Sequence, residues 1–527
     1  MNAVARILEW PTDEAEENPL APWPPALWDS AMLARVMKGE ASSEFAVSGV
    51  EIDSRDVQPG DLFFALKGET MDGHRFVEGA FAKGAAAVVA DRPVDGPHIL
   101  VADTTEALEL LGAAARERSR GPIIGVTGSV GKTGVKEAIF DALDRGSRGD
   151  AHRSVKSYNN HVGVPLSLAR MPARARFGIF EMGMNHAGEI AALTRQVRPN
   201  LAVITTIAPA HIEMLGSMEA IADAKAEIFE GLEAGGTAVI PADSPYFNRL
   251  KEAALAAGAQ VVSFGKARDA DVRLLDAVPA IGGGSLVTID MGDRRVCYTV
   301  ASPGEHHVIN SLAVMAAVRG VKGDLGAAGV ALAEMGGLPG RGARLQIDVS
   351  GGEPDVDGRR PASGEAAGKA LLIDESYNAN PASMRATLEQ LGRTPANRRI
   401  AVLGAMKELG SHGPDYHAAL AGPIGEAGVD FAVLVGEEMA PLAQALAAAQ
   451  AQALPQALEG RGNSEELGKS AGLPLGKAVP FAHCLTVREA IDALREFGLE
   501  RDDVILVKGS NSVGLASLVN ALDKQEG

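Results

Sequence analysis

Short apolar runs bounded by turn residues alternate along this chain with stretches whose apolar positions recur at helical spacing. Residues 62–66, 86–90, 122–124, 176–181, 201–207, 370–373, 400–403, 431–435 and 503–507 are runs of the first kind. Their shortness, β-branched content and glycine or proline flanks predict buried strands. Residues 47–55 alternate and predict a strand ending in polar side chains. Helical spacing begins at Leu27, resumes at 135–140 and 218–232, and returns in alanine-rich sequence beyond Asn310. After Asp72-Gly73-His74 it predicts a helix with Phe76 and Ala80 turned inward. Alternating strands and helices predict an α/β protein whose last part is a doubly wound sheet. Turn signals such as Pro339-Gly340-Arg341 divide it into a tail (1–25), a small α/β unit (26–115), a central domain (116–337) and a last domain (338–527). Polar, low-complexity sequence at 350–368 and about 450–477 reads as two surface insertions.

Composition narrows the class. A chain of 527 residues, 46% of them apolar, has length for about three domains and can bury several cores. Its net charge of −18 points away from nucleic acid and from membrane surfaces, both of which favour a basic face. The only cysteines, Cys297 and Cys484, exclude a disulfide framework and a cysteine-rich metal site, so a reducing cytoplasm is expected. Residues 1–25 are acidic and proline-rich, unlike a signal peptide, and no apolar run is long enough for stable membrane insertion.

The candidate chemistry starts at Gly125-Val126-Thr127-Gly128-Ser129-Val130-Gly131-Lys132-Thr133-Gly134. A buried strand, a glycine-rich turn and a helix start make an anion site, because loop N–H groups and the helix dipole both favour phosphate. Lys132 is placed to reach a nucleotide's outer phosphates, and the Thr133 hydroxyl to meet magnesium. The spacing departs from the common phosphate loop, since five residues rather than four separate Gly125 from Gly131. Glu181 ends a strand and either faces that magnesium or caps the following helix. His211 follows the strand at 201–207 and is either a ligand or structural. Lys225, taken alone, reads as a solvated surface lysine. Asp53-Ser54-Arg55 either binds an anionic ligand or pairs locally. Three strands of the last domain run into polar sequence: Asp374-Glu375-Ser376-Tyr377-Asn378-Ala379-Asn380-Pro381, Gly404-Ala405-Met406-Lys407-Glu408 and Lys508-Gly509-Ser510-Asn511.

In this order the landmarks resemble the ATP-dependent Mur ligases of bacterial cell-wall synthesis, from about Val47 to Leu515. That family has a small α/β domain for a uridine-diphosphate substrate, a central phosphate-loop ATPase-like domain and a C-terminal Rossmann-like domain. Its phosphate loop is shortened in the way seen here. The resemblance implies that Gly128, Ser129, Val130, Gly131, Lys132, Thr133 and Gly134 bind ATP, with Asn310 at adenine, Arg341 at the phosphates and Asp374 at the ribose. Magnesium would be held by Thr133, Glu181, His211 and a carbamoylated Lys225. Lys132, His211, Lys225 and Arg341 would carry catalysis. Asp53, Ser54 and Arg55, with Asn159 and Asn160, would bind UDP-N-acetylmuramoyl-tripeptide. Tyr377, Asn378, Asn380, Lys508 and Ser510 would face an incoming D-alanyl-D-alanine. The Asn-Pro-Arg signature of the diamino-acid-adding branch does not occur in this chain. His307 and Ala405 stand where the family usually has asparagine and aspartate. The activity implied is amide-bond formation by a monomer, through an acyl phosphate, with closure of the third domain over the site. A phosphate-loop kinase or nucleotide switch would leave the third domain's strand-end motifs idle. A folyl or other polyglutamate ligase would lack the uridine-diphosphate-type first domain.

Overall fold

A buried strand shows both faces to apolar neighbours, and the central strands Ile123–Thr127 and Leu201–Ile204 follow that rule residue by residue. The computed structural model describes residues 26–68, 71–209, 212–280, 283–349, 368–459 and 479–523. The expected tail and most of the two expected insertions lie outside the described residues. The chain forms two compact units, Met1–Leu111 and Gly112–Gly527.

The first unit holds a five-stranded sheet in the order Glu40–Ala41, His98–Leu100, Ala87–Ala90, Asp61–Phe64, Gly49–Glu51. Its pairings are parallel except for the first. Phe63 and Val88 pack with Val57, Val77 and Ala80 in its core. The helical expectation after Asp72 needs one correction. Gly73–Phe76 is a 3₁₀ turn and the α-helix starts at Val77, so the phase shifts. Val77 and Ala80 are buried, whereas Phe76 is 38% exposed.

In the second unit, nine strands form one sheet in the order Arg295–Val300, Ser285–Asp290, Val272–Pro279, Gln260–Gly265, Thr237–Pro241, Leu201–Ile204, Ile123–Thr127, Phe177–Glu181, Ala151–Arg153. Pairing is parallel from Ala151–Arg153 to Val272–Pro279, and the last two strands add an antiparallel meander. Ile124 and Val126 face one core with Val135, Ile139 and Leu312, while Ile123 faces the other with Phe180, Ile190 and Ile228. Strand Ile123–Thr127 sits between Phe177–Glu181 and Leu201–Ile204, with Glu181 beside Val126 and Ile204 beside Thr127. Their carboxyl ends therefore meet at one edge. The helix expected over 218–232 is α-helical only over Met218–Ala226 and then tightens into the 3₁₀ turn Glu227–Gly231.

A separate six-stranded sheet follows in the order Ala343–Val349, Gly368–Glu375, Val504–Lys508, Arg399–Gly404, Phe431–Val435, Phe481–Cys484. Only its first pairing is antiparallel. Met384, Leu388, Leu391 and Leu442 cover one face, and Ala490, Leu494, Leu515 and Leu518 the other. This is the doubly wound arrangement, whose strand carboxyl ends gather ligands.

Candidate active site

The phosphate loop leaves Ile123–Thr127 at the shared carboxyl edge and enters the helix Lys132–Ser147. Two of its glycines are sterically required. Gly128 has φ +143°, and a Cβ there would overlap the Thr205 hydroxyl. Gly131 has φ +86°, and the Asn310 amide stands 2.7 Å from where its Cβ would be. Asn310 is thus brought against the loop. The neighbouring strand end braces it: Ser129 N–H donates to the Thr206 carbonyl at 2.9 Å, and the Ser129 hydroxyl to the Ala208 carbonyl at 2.9 Å. The Thr205 hydroxyl donates to the Val130 carbonyl at 2.5 Å.

Lys132 donates its ammonium to the Gly128 carbonyl at 2.7 Å. Burial pulls its pKa below the usual lysine range, against the opposing pull of Glu181. Glu181 is 1% exposed, and its two oxygens accept from the Thr133 hydroxyl at 2.8 Å and the Asn159 amide at 2.7 Å. It does not cap the next helix, which starts at Glu189 behind Gly188. Asn160 is turned elsewhere, its oxygen accepting from Gly163 N–H at 2.9 Å at the head of Gly163–Ala169.

Lys225 corrects the reading made from its residue type alone. It is 1% exposed, because the helix Met218–Ala226 turns Ile221, Ala222 and Ala224 through Ala226 inward. Burial pushes the Lys225 amine well below the usual lysine range, and Lys132 adds to this; Glu227, Glu189 and Glu181 oppose it. His211 lies outside the described residues.

The turn Pro339-Gly340-Arg341 closes the cavity from the other sheet. The Asp374 carboxylate is buried and accepts from Gly340 N–H at 2.7 Å, Ser376 N–H at 3.1 Å and the Ser376 hydroxyl at 2.6 Å. It shapes the turn and is not among the side chains lining the cavity. Arg341 lies over the Tyr377 ring, 4.2 Å from its centroid, and donates to the Ser157 hydroxyl at 3.1 Å. Lys508 is buried, donating to Glu375 at 3.2 Å and to the Asn378 carbonyl at 3.0 Å. Asn380 caps Pro381–Arg393, its oxygen accepting from Ser383 N–H at 2.9 Å. The Ser510 hydroxyl accepts from Lys407 N–H at 3.0 Å.

These residues surround one cavity of about 550 Å³. Ser129, Val130, Gly131, Lys132, Gly134, Asn159, Glu181 and Asn310 line it from the nine-stranded sheet's side. Arg341, Tyr377, Asn378, Asn380, Lys508 and Ser510 line it from the other. Gly128, Thr133, Lys225 and Asp374 are not among its lining residues. Asp53, Ser54 and Arg55 belong to the first unit. There Asp53 accepts from Arg55 N–H at 2.9 Å and pairs with its guanidinium at 2.7 Å, the local pairing the sequence leaves open.

Sequence reasoning gives no role to several residues here. Lys136 is fully buried, donates to the Ser154 carbonyl at 2.7 Å and the Lys156 carbonyl at 2.9 Å, and pairs with Glu137 at 2.7 Å. It fastens the segment that carries Ser157 and Asn159; its place one helical turn after Lys132 is the only hint in the sequence. His306 and His307 also line the cavity, with ring centroids 4.1 Å apart, and burial holds both imidazoles below the ordinary histidine pKa. Lys407 lines it too.

Three family models match the chain: Mur ligase family, catalytic domain, over residues 46–143; Mur ligase middle domain over 126–318; and Mur ligase, glutamate ligase domain, over 362–511. The UDP-N-acetylmuramoyl-tripeptide–D-alanyl-D-alanine ligase of Synechocystis is 34% identical over 91% of this chain and 93% of its own. The MurF structure from Acinetobacter baumannii superposes with a TM-score of 0.73 at 26% identity, covering 94% of this chain and 99% of that one. MurF ligase from Thermotoga maritima, solved in complex with ADP, shares the fold at 23% identity with a TM-score of 0.67, over 91% and 98% of the two chains. The α/β sheets, the phosphate loop packed on Asn310 and the match over most of the sequence agree: this chain belongs to the Mur ligase family.

Proposed function

We propose that this chain uses ATP to join D-alanyl-D-alanine to UDP-N-acetylmuramoyl-tripeptide in the making of peptidoglycan precursors. The observation that carries the reading is the single cavity with a phosphate loop on one wall and the doubly wound sheet's strand ends on the other. Such a cavity holds an activating triphosphate and an acceptor side by side. The relatives that bear this activity in their names support the choice of substrates. In our reading residues 26–115 serve the uridine substrate through Asp53, Ser54 and Arg55, residues 116–337 serve ATP, and residues 338–527 serve the dipeptide. We further propose that the chain acts as a monomer, and we place the reaction in the bacterial cytoplasm. No helix among the described residues is long and apolar enough to cross a membrane.

A carboxylate is a poor acyl donor, so its oxygen first attacks the γ-phosphorus of ATP, forming an acyl phosphate and releasing ADP. The dipeptide's neutral amine then attacks the acyl carbon, and phosphate leaves as the C–N bond forms and the amine sheds a proton. Lys132 and Arg341 neutralise charge on the phosphates, the loop N–H groups hold them in line, and the surrounding walls keep water from the acyl phosphate. Among the described residues no group of three or more His, Cys, Asp or Glu side chains is placed to hold a metal ion. Magnesium asks for less, since it keeps several waters and takes one or two carboxylates with substrate phosphates. The Thr133 hydroxyl and Glu181 carboxylate, 2.8 Å apart, are hard oxygen donors that fit it. We assign them one ion and assign His211 and Lys225 a second; bound there, magnesium supplies charge neutralisation for phosphoryl transfer. Lys225 would act as its carbamate, formed when the neutral amine adds to carbon dioxide and loses a proton. The burial that depresses this amine favours the neutral form required.

The test is phosphate release from ATP with each acceptor omitted in turn. Release that requires both UDP-N-acetylmuramoyl-tripeptide and D-alanyl-D-alanine is the expected result; release with either alone would overturn the assignment.

A further inference from the structure

We propose that Lys407, held by Glu438, is the cavity's receptor for the free carboxylate of the incoming dipeptide, and so a specificity-determining residue. The inference rests on the function proposed above. Such an acceptor carries an amine at one end and a carboxylate at the other, and within this cavity only cations can neutralise the latter. Four basic side chains line the space: Lys132, Arg341, Lys407 and Lys508. Lys132 sits on the phosphate loop, committed to the Gly128 carbonyl. Arg341 spans Tyr377 and Ser157 at the mouth of that loop. Lys508 is 2% exposed and already bonded to Glu375 and the Asn378 carbonyl, so a second carboxylate would have to displace a buried ion pair. Lys407 differs. Its side chain is 42% exposed and pairs with Glu438, itself 47% exposed.

The backbone around Lys407 is fixed. It follows strand Arg399–Gly404, and its N–H is taken by the Ser510 hydroxyl, whose own N–H donates to the Ala405 carbonyl at 3.1 Å. Glu408, next in sequence, has φ +64°, a conformation costly for a residue with a Cβ and kept only where the surroundings enforce it. An ammonium has three donors, so the bond to Glu438 leaves two for a ligand. Glu438 thus orients the amine without exhausting it. The plain alternative, a surface ion pair worth little, predicts that the lysine can be removed without kinetic effect.

The experiment compares unaltered enzyme and Lys407→Met with D-alanyl-D-alanine and with its C-terminal amide, following phosphate release. For the acid, the variant should raise KM on the order of tenfold, with KM for ATP unchanged. The unaltered enzyme should use the amide about tenfold less well than the acid, and the variant should lose nothing further on the amide. A dipeptide KM within twofold of normal, or an equal rise for ATP, would overturn the proposal. Equal use of acid and amide by the unaltered enzyme would overturn it too, even if Lys407→Met failed to fold. Phosphate release that ignores the dipeptide altogether would remove the functional reading itself, an outcome distinct from a dipeptide-dependent reaction blind to Lys407.

Discussion

At the scale of single residues, the site is a set of charges whose surroundings decide their state. Lys132 and Lys225 are both drawn down by burial, Lys132 further by Arg341 and Lys225 further by Lys132, while Glu181 pulls the other way. Lys132→Ala should lower phosphate release at least about 100-fold, because a cation facing the transferred phosphate acts in a water-poor space. Its melting temperature should stay close to normal, since the bond from its ammonium to the Gly128 carbonyl lies within its own loop; retention of a tenth of the activity with unchanged ATP affinity would refute the assignment. Lys225→Ala should also lose most activity. A small carboxylate such as acetate, entering the vacated space, should restore part of it if the native side chain is a carbamate. No rescue at any concentration of acetate or formate would count against that modification.

At the scale of elements, strand ends and helix starts do the positioning, and glycine and asparagine are chosen for backbone reasons. Gly131 combines a positive φ with close approach to Asn310, so Gly131→Ala should cost roughly 1–2 kcal/mol in strain and weaken ATP binding. Calorimetry of nucleotide binding would check this, and an unchanged affinity would mean the loop shifts freely. Asn380 invites a different expectation. As N-cap of Pro381–Arg393, within a reciprocal capping box with Ser383, it should cost about 1 kcal/mol of stability when changed to alanine. Dipeptide KM should move less for Asn380→Ala than for Lys407→Met, which separates a residue that shapes the wall from one that meets the ligand.

At the scale of the whole molecule, histidines partly or wholly withdrawn from water tie stability to pH. His152 packs its ring against Phe180, with centroids 5.9 Å apart, and donates Nε2–H to the Ser167 carbonyl at 2.8 Å. Burial lowers its pKa to about 4, from an ordinary 6.5. The folded state therefore prefers the neutral ring. This contribution is complete above pH 6.5 and is lost as pH falls toward 4, by about 3 kcal/mol at pH 4. His307 and His417, also lowered by burial, act in the same direction. Denaturant unfolding at pH 7.5 and pH 5 should show lower stability at pH 5, and His152→Gln should flatten the difference. Equal stability at both pH values in the unaltered protein would contradict this account.

Strand positions are legible because burial on both faces leaves an apolar run that no solvated helix shows: residues 431–435 predict the strand that Phe431–Val435 forms. The phosphate loop was legible because positive-φ glycines and a lysine at a helix start have few other uses. The antiparallel meander Val272–Pro279, Ser285–Asp290 and Arg295–Val300 leaves a weaker pattern in the sequence, because its strands are half-exposed. Phe76 faces outward against the helical expectation because a 3₁₀ turn changes helical phase without changing composition. What tertiary structure alone decided was the environment of charge. Lys225 reads as a surface residue until its helix is docked, and Lys508 and Lys407 read alike until one is buried against Glu375 and the other left facing the cavity. Sequence determines which groups exist and which segments are apolar. Desolvation and pairing depend on distances between residues far apart in the chain, and only the fold sets those.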